Sequence, residues 1–236
     1  MDNTHQCHLN HECSKTGSHK TCVSLVPIFN HLEVEQMNEI MAVVQSVSIK
    51  KGELIYHEGD QSNSLYIVNK GKVRIYRLSE TGKEQLVRIL NPGDFTGELA
   101  LFRNDMHKSF AEAMTDSQVC TIHQADLKNL LLKYPSISLK ILEEFSNRLD
   151  QSEKQTTRFA TEKVETRIAR FLAECLEDSD SKEIFLPMSK KNLASYLGTT
   201  PETISRKLAE LEEQGFIKQR GHKKIEIVDV DGLLLI

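Results

Sequence analysis

Glu202, Ser205 and Arg206 are the side chains in this sequence whose types and spacing suit recognition chemistry. At i, i+3 and i+4 they share one face of a helix. An arginine there bonds guanine O6 and N7 together, a glutamate accepts from cytosine N4, and a serine goes to either kind of partner. Ile204 and Leu208 fall on the opposite, apolar face. The plain alternative is the solvated side of an ordinary helix; what surrounds the three residues argues against it.

A second set of reactive side chains lies near the start of the chain. Cys7, Cys13 and Cys22 are interspersed with His5, His8, His11 and His19, and Cys120 adds a thiol further on. Thiolate and imidazole together suit a tetrahedral zinc site, for which Cys7, His11, Cys13 and Cys22 suffice. Thiols alone also form a reversible disulfide, for example between an N-terminal cysteine and Cys120. Cys175, between Phe171, Leu172 and Leu176, is expected to be a core residue. No Ser-His-Asp order, carboxylate pair or phosphate-cradling glycine loop stands out, so an enzyme is not expected.

The elements that must position the first set are legible around it. Ser189 is placed to cap a short amphipathic helix that Gly198 ends in a left-handed turn. Thr200 caps the next helix, and Pro201 takes its first position, where the missing N–H costs nothing. Helix, tight turn, second helix is the helix-turn-helix arrangement, whose second helix presents its N-terminal side chains to the major groove of double-stranded DNA. After Gly215, two short strands over residues 217–228 flank a basic, glycine-bearing turn, as in a wing that rests on phosphate. Thr200 and Lys207 on the helix and Arg220 and Lys223 on the wing complete the candidate DNA contacts.

Charge follows the same division. The 236 residues carry a net −4, yet Pro187–Val228 holds eight Lys/Arg against five Asp/Glu, so this stretch is +3 and the rest −7. A locally basic reader on an acidic body suits a sequence-specific regulator better than a protein that coats nucleic acid. No apolar run approaches the length of a membrane span, and the first residues lack the basic and apolar parts of a signal peptide. A cytoplasmic protein without membrane association is expected, in which five cysteines point to metal or redox chemistry rather than structural disulfides.

The organisation is α+β. Residues 1–24 form a Cys/His-rich segment, and residues 25–135 carry short strands punctuated by glycine turns, as in a β-roll. A long helix over 136–160 shows two seven-residue rows, Leu142-Leu149-Thr156 and Phe145-Ser152-Phe159. Such rows suit pairing with a copy of the same helix, so Leu142, Phe145, Leu149 and Phe159 are the expected homodimer surface. Residues 161–236 are the winged helix-turn-helix domain.

Roll, long helix and winged helix-turn-helix, in that order, resemble the CRP/FNR superfamily of bacterial transcription regulators over nearly the whole chain. The resemblance rests on the glycine-punctuated roll, on the stretch from Asn91 to Phe102 with its Gly97-Glu98-Leu99 turn, and on the recognition helix. In the FNR branch a Glu-x-x-Ser-Arg motif reads half-sites of the form TTGAT, which the resemblance transfers to Glu202, Ser205 and Arg206. It also implies RNA polymerase as a partner. FNR holds an oxygen-labile 4Fe–4S cluster on three N-terminal cysteines and one in the roll; Cys7, Cys13, Cys22 and Cys120 correspond. The spacing here, Cys-x5-Cys-x8-Cys, departs from the familiar Cys-x2-Cys-x5-Cys, so zinc, or no metal at all, stays open beside the cluster. Members that bind a cyclic nucleotide place an arginine for the phosphate where this chain has Lys108. Lysine lacks the bidentate fork, which makes nucleotide binding the weaker expectation.

Overall fold

The structure, a computed structural model, describes residues 23–98, 105–177, 181–221 and 223–236. They cluster into two compact units, one of Ile89–Glu144 with the residues up to Arg77, the other of Leu78–Arg88 with Phe145–Ile236.

Helix α1 (Val34–Val43) precedes the sheets of the first unit and starts at a reciprocal capping box between Glu33 and Gln36. Eight strands follow: β1 (Gln45–Ile49), β2 (Leu54–Tyr56), β3 (Ser64–Lys70), β4 (Val73–Leu78), β5 (Glu84–Leu90), β6 (Phe95–Thr96), β7 (Phe110–Ala113) and β8 (Ser117–His123). They form two four-stranded sheets, ordered β1-β8-β3-β6 and β2-β7-β4-β5. Strand residues alternate between faces, and one face of each sheet supplies a shared core. Ile49, Val68 and Val119 come from the first sheet, and Tyr56, Val73, Ile75, Leu90, Ala111 and Ala113 from the second. This is the β-roll that the strand spacing implies. At Gly97 (φ 82°) the chain turns so close to β3 that a Cβ would strike the Ser64 carbonyl, which reserves the position for glycine.

Helix α2 (Gln124–Lys133) leaves β8 and leads into α3 (Pro135–Thr161), 27 residues long. Only Ile137 and Ile141 of α3 are buried, whereas Leu139, Leu142 and Leu149 stand exposed on it. A helix with so few covered residues has little reason to persist in water alone, since packing of an apolar face supplies most helical stability.

The second unit holds the end of α3, then α4 (Val164–Glu177), β9 (Glu183–Phe185), α5 (Lys190–Tyr196), α6 (Pro201–Glu213), β10 (Ile217–Gln219), β11 (Lys224–Ile227) and α7 (Val230–Leu234). Helix α4 buries Ile168, Ala169, Phe171, Leu172 and Ala173. Strands β10, β11 and β9 make an antiparallel sheet in that order, so the wing has a third strand in a stretch that the sequence analysis leaves unassigned. The other difference concerns Leu78–Arg88: sequence position puts this hairpin in the roll, yet it clusters with the C-terminal unit.

Candidate nucleic-acid interface

The helix-turn-helix is built as its caps dictate. Ser189 Oγ accepts the Asn192 amide at 3.2 Å and starts α5. Gly198 adopts φ 67°, and Thr200 Oγ1 accepts the Thr203 amide at 3.3 Å to start α6 with Pro201 in its first turn. Ile204, Leu208 and Leu211 are fully buried and seat α6 in the unit. Glu202, Ser205 and Arg206 are left together on the exposed face of its first two turns.

Their electrostatics suit base reading. The Glu202 carboxyl accepts from its own backbone amide and from the Thr200 hydroxyl, which holds its pKa below the ordinary value. It therefore stays an acceptor. Arg206 lies 3.7 Å from Glu210 and its side chain is 67% exposed, so the guanidinium remains free to extend.

Other candidate contacts are placed differently. Lys207 points along the flank of α6, where Nζ meets Glu165 of α4 at 3.0 Å and also Glu210; with its side chain 21% exposed, it fastens α6 to α4. Arg220 donates twice to Glu226 across the wing, at 2.9 and 2.7 Å. Lys223 is exposed at the wing turn. Three lysines not singled out in the sequence lie on α5 and β10, the neighbouring elements of the motif. Lys190 reaches Gln219 of β10 at 3.4 Å, and Lys191 and Lys218 are exposed. The signal was present in the lysine pair directly after the Ser189 cap, because the first turn of this helix faces the DNA backbone when the second lies in the groove.

The turn between α5 and α6 is held from outside. Ser195 Oγ accepts the Leu86 amide at 2.7 Å and donates to the Glu84 carbonyl at 2.8 Å. Gln155 donates to the Tyr196 carbonyl at 3.3 Å, and Arg167 Nε to the Leu197 carbonyl at 3.1 Å. Phe159, which the heptad rows assign to the dimer surface, lies with its ring against Gly198 and under the Arg167 guanidinium.

In the roll, Cys120 sits on β8 opposite Ser46 of β1 and Ile67 of β3. Val119 faces the roll core, so by alternation Cys120 and Ile122 face the other way. That outer face is covered as well, for Cys120 is only 1% exposed. Cys7, Cys13 and Cys22 lie outside the described residues; among those described, no three His, Cys, Asp or Glu gather as a metal site. Cys175 is half-buried on α4. Lys108 pairs with Asp105 at 3.4 Å. Deeper in, His107 stacks on Tyr56 at 3.7 Å, and burial lowers its pKa against the pull of Asp60 and Glu98. Among the described residues, no helix is long and apolar enough to cross a membrane.

A basic winged helix-turn-helix following a β-roll and a long exposed helix defines a class, the DNA-binding transcription regulators built on a sensor-type roll. The comparisons agree. Residues 46–134 match the cyclic nucleotide-binding domain family, and residues 166–236 match the Crp-like helix-turn-helix domain family. The chain is 33% identical to the probable transcriptional regulator flp of Lacticaseibacillus casei, over 90% of this chain and 96% of that one. It is 30% identical to the anaerobic regulatory protein of Pasteurella multocida, over 94% and 81% respectively. Among solved structures, FixK2 from Bradyrhizobium japonicum is similar at TM-score 0.70 and 28% identity, covering 81% of this chain and 96% of that one. The chain belongs to the CRP/FNR family of transcription regulators, whose members bind DNA and act as dimers.

Proposed function

We propose that this chain is an FNR-like regulator that binds a TTGAT-type palindrome as a homodimer and answers to oxygen or redox state through Cys7, Cys13, Cys22 and Cys120. The observation that carries the DNA half is the exposed face of α6, where an ionised glutamate, a serine and an exposed arginine stand together. Leu139, Leu142 and Leu149, uncovered on α3, support a dimer built on that helix. RNA polymerase is the expected protein partner of such a regulator.

The redox half draws on Cys120 and on the relatives named as anaerobic regulatory proteins. Cys120 is fixed by the register of a central strand and faces away from the roll core on a covered face, so ligation there requires that cover to open. Together with the three N-terminal thiolates it would complete the four-cysteine set of a 4Fe–4S cluster, a group that oxygen destroys in such regulators. The chain's own contribution is a tether. With the thiolates engaged, residues 1–22 are drawn to β8; once released, the tether is gone and the population moves toward the weakly binding form. Zinc, or a disulfide to Cys120, would use the same residues. Lysine at position 108, without the bidentate fork of the arginine in nucleotide-binding members, argues against a cyclic nucleotide as the signal.

The test is purification without oxygen, followed by visible spectroscopy, iron and sulfide analysis, and admission of air. Broad absorption near ~400 nm with about four iron and four sulfide per chain, bleached by air, is the expected result. A colourless, iron-free protein overturns the cluster, and zinc analysis with thiol counting then decides between the remaining two. Cys120→Ser should abolish the oxygen response of DNA binding; a variant that responds normally removes Cys120 from the ligand set.

A further inference from the structure

The last four carbonyls of a helix lack partners within it, and at the end of α5 the local chain provides only some of them. Thr199 donates to Ala194 and Gly198 to Ser195, which leaves the carbonyls of Tyr196 and Leu197. Both are taken by side chains from other elements, Tyr196 also by Gln85 of β5 at 3.5 Å. Gln155 of α3 reaches Tyr196, and Arg167 of α4 reaches Leu197.

Arg167 does more than satisfy one group. Its Nη1 donates to the carbonyl of Glu162, just past the end of α3, at 2.7 Å. Its guanidinium also lies 5.3 Å from the centre of the Phe159 ring, and that ring sits where a Cβ on Gly198 would meet it at 3.4 Å. Gln155, Phe159 and Glu162 recur at i, i+4 and i+7, so they form one stripe at the end of α3. One planar cation thus joins this stripe to the turn from which α6 departs two residues later. Lysine has neither the fork for two divergent carbonyls nor the flat face for the ring.

We infer that Arg167 is a positioning residue for DNA recognition: it fixes the N-terminus of α6 relative to the end of α3, and so sets the half-site spacing that the regulator accepts. The physical reason is geometric. In a dimer built on α3, the separation of the two reading faces depends on the angle at which each α6 leaves its own α3. Arg167 touches no base, so the preference within a half-site belongs to Glu202, Ser205 and Arg206 alone. This inference rests on the proposed palindrome-binding dimer.

The experiment uses the full chain and fluorescent duplexes carrying two TTGAT half-sites as an inverted repeat. Their centres are stepped one base pair at a time around one DNA turn, ~10 bp. Duplexes with one base changed within a half-site, and thermal melting of each variant, accompany the series. The wild-type chain should show a sharp spacing optimum. Arg167→Met should flatten the ratio between best and neighbouring spacings by about fivefold, the scale of one ordinary hydrogen bond, with half-site base preference unchanged. Arg167→Lys should not restore the optimum. A merely structural arginine would lower binding to all spacings together.

An Arg167→Met chain with an undiminished optimum overturns the inference. A wild-type chain indifferent to spacing or to the inverted repeat also overturns it, and identifies the palindrome-dimer reading as the part that failed. If Arg167→Met melts too low to assay, Gln155→Leu removes the shorter of the two side-chain bonds to the Tyr196 carbonyl, Gln85 of β5 supplying the other at 3.5 Å, while leaving the cation. It should flatten the same optimum, and a sharp optimum in that variant counts against the inference.

Discussion

The hydroxyl of Ser195 sits 2.7 Å from the amide nitrogen of Leu86 and accepts its hydrogen bond, while donating its own proton to the Glu84 carbonyl. Strand β5 is the outer strand of its sheet. Residues 84 and 86 present a carbonyl and an amide on the same edge, and a neighbouring strand would normally take both. One side chain from the first helix of the helix-turn-helix takes them instead. The Leu78–Arg88 hairpin is thereby secured within the C-terminal unit.

Ser195→Ala leaves both peptide groups without that partner. Unfolding of the full chain in urea should show a loss of about 1–3 kcal/mol. A loss within error would mean that water replaces the hydroxyl at no cost.

Arg206→Ala should weaken binding by about 1–3 kcal/mol per half-site and relax preference at one guanine. Lys223→Ala, at the exposed wing turn, should instead weaken all sequences alike and reduce the salt slope by about 1. Titrations at several salt concentrations on matched and mismatched duplexes separate the two. An Arg206 variant that keeps its base preference refutes the reading role.

Lys207 should behave as neither. Its bonds to Glu165 and Glu210 raise its pKa and fix it to the flank of α6. Lys207→Ala should lower the melting temperature slightly and leave base preference intact. A changed base preference would return Lys207 to the reading face.

Leu149→Asp puts a charge in the exposed apolar row of α3. Sedimentation should move toward the monomer, and affinity for the inverted repeat should fall further than affinity for a single half-site. A dimer unchanged by this substitution would place the interface elsewhere.

His107 makes acid stability testable. Its native pKa lies below the ordinary imidazole value because of burial, and Nε2 has no hydrogen-bond partner among the described residues. The unfolded chain therefore binds the proton more readily. Stability from this group is complete above an unfolded pKa of roughly 6.5 and is lost as pH falls below it, until the native imidazole itself protonates. His107→Gln should flatten that part of the melting-temperature profile; an identical acid slope would assign the loss to other groups.

The recognition helix was legible because its signals are local. A Ser cap, a glycine turn, a Thr-Pro start and an i, i+3, i+4 face all act within a dozen residues, and the structure keeps them. The strands marked by glycine turns were legible for the same reason, as was α3 to within a residue or so at each end. Strands β1, β7 and β8 were harder to see: their apolar positions are few and interleaved with Ser, Gln and Glu, and only pairing across the sheets defines them.

Sequence alone therefore determined the order of the parts, the cap and turn chemistry, and which face of α6 stays exposed. Tertiary structure decided how the charges are used. Lys207 and Arg220 are cations in a basic stretch, and only the approach of Glu165, Glu210 and Glu226 engages them in ion pairs. It likewise decided that Phe159, Gln155 and Arg167, far apart from Leu197 in sequence, converge on one turn. Caps and periodicity report the chain's nearest neighbours, whereas a carbonyl left over at a helix end is satisfied by whichever side chain the packed helices bring to it.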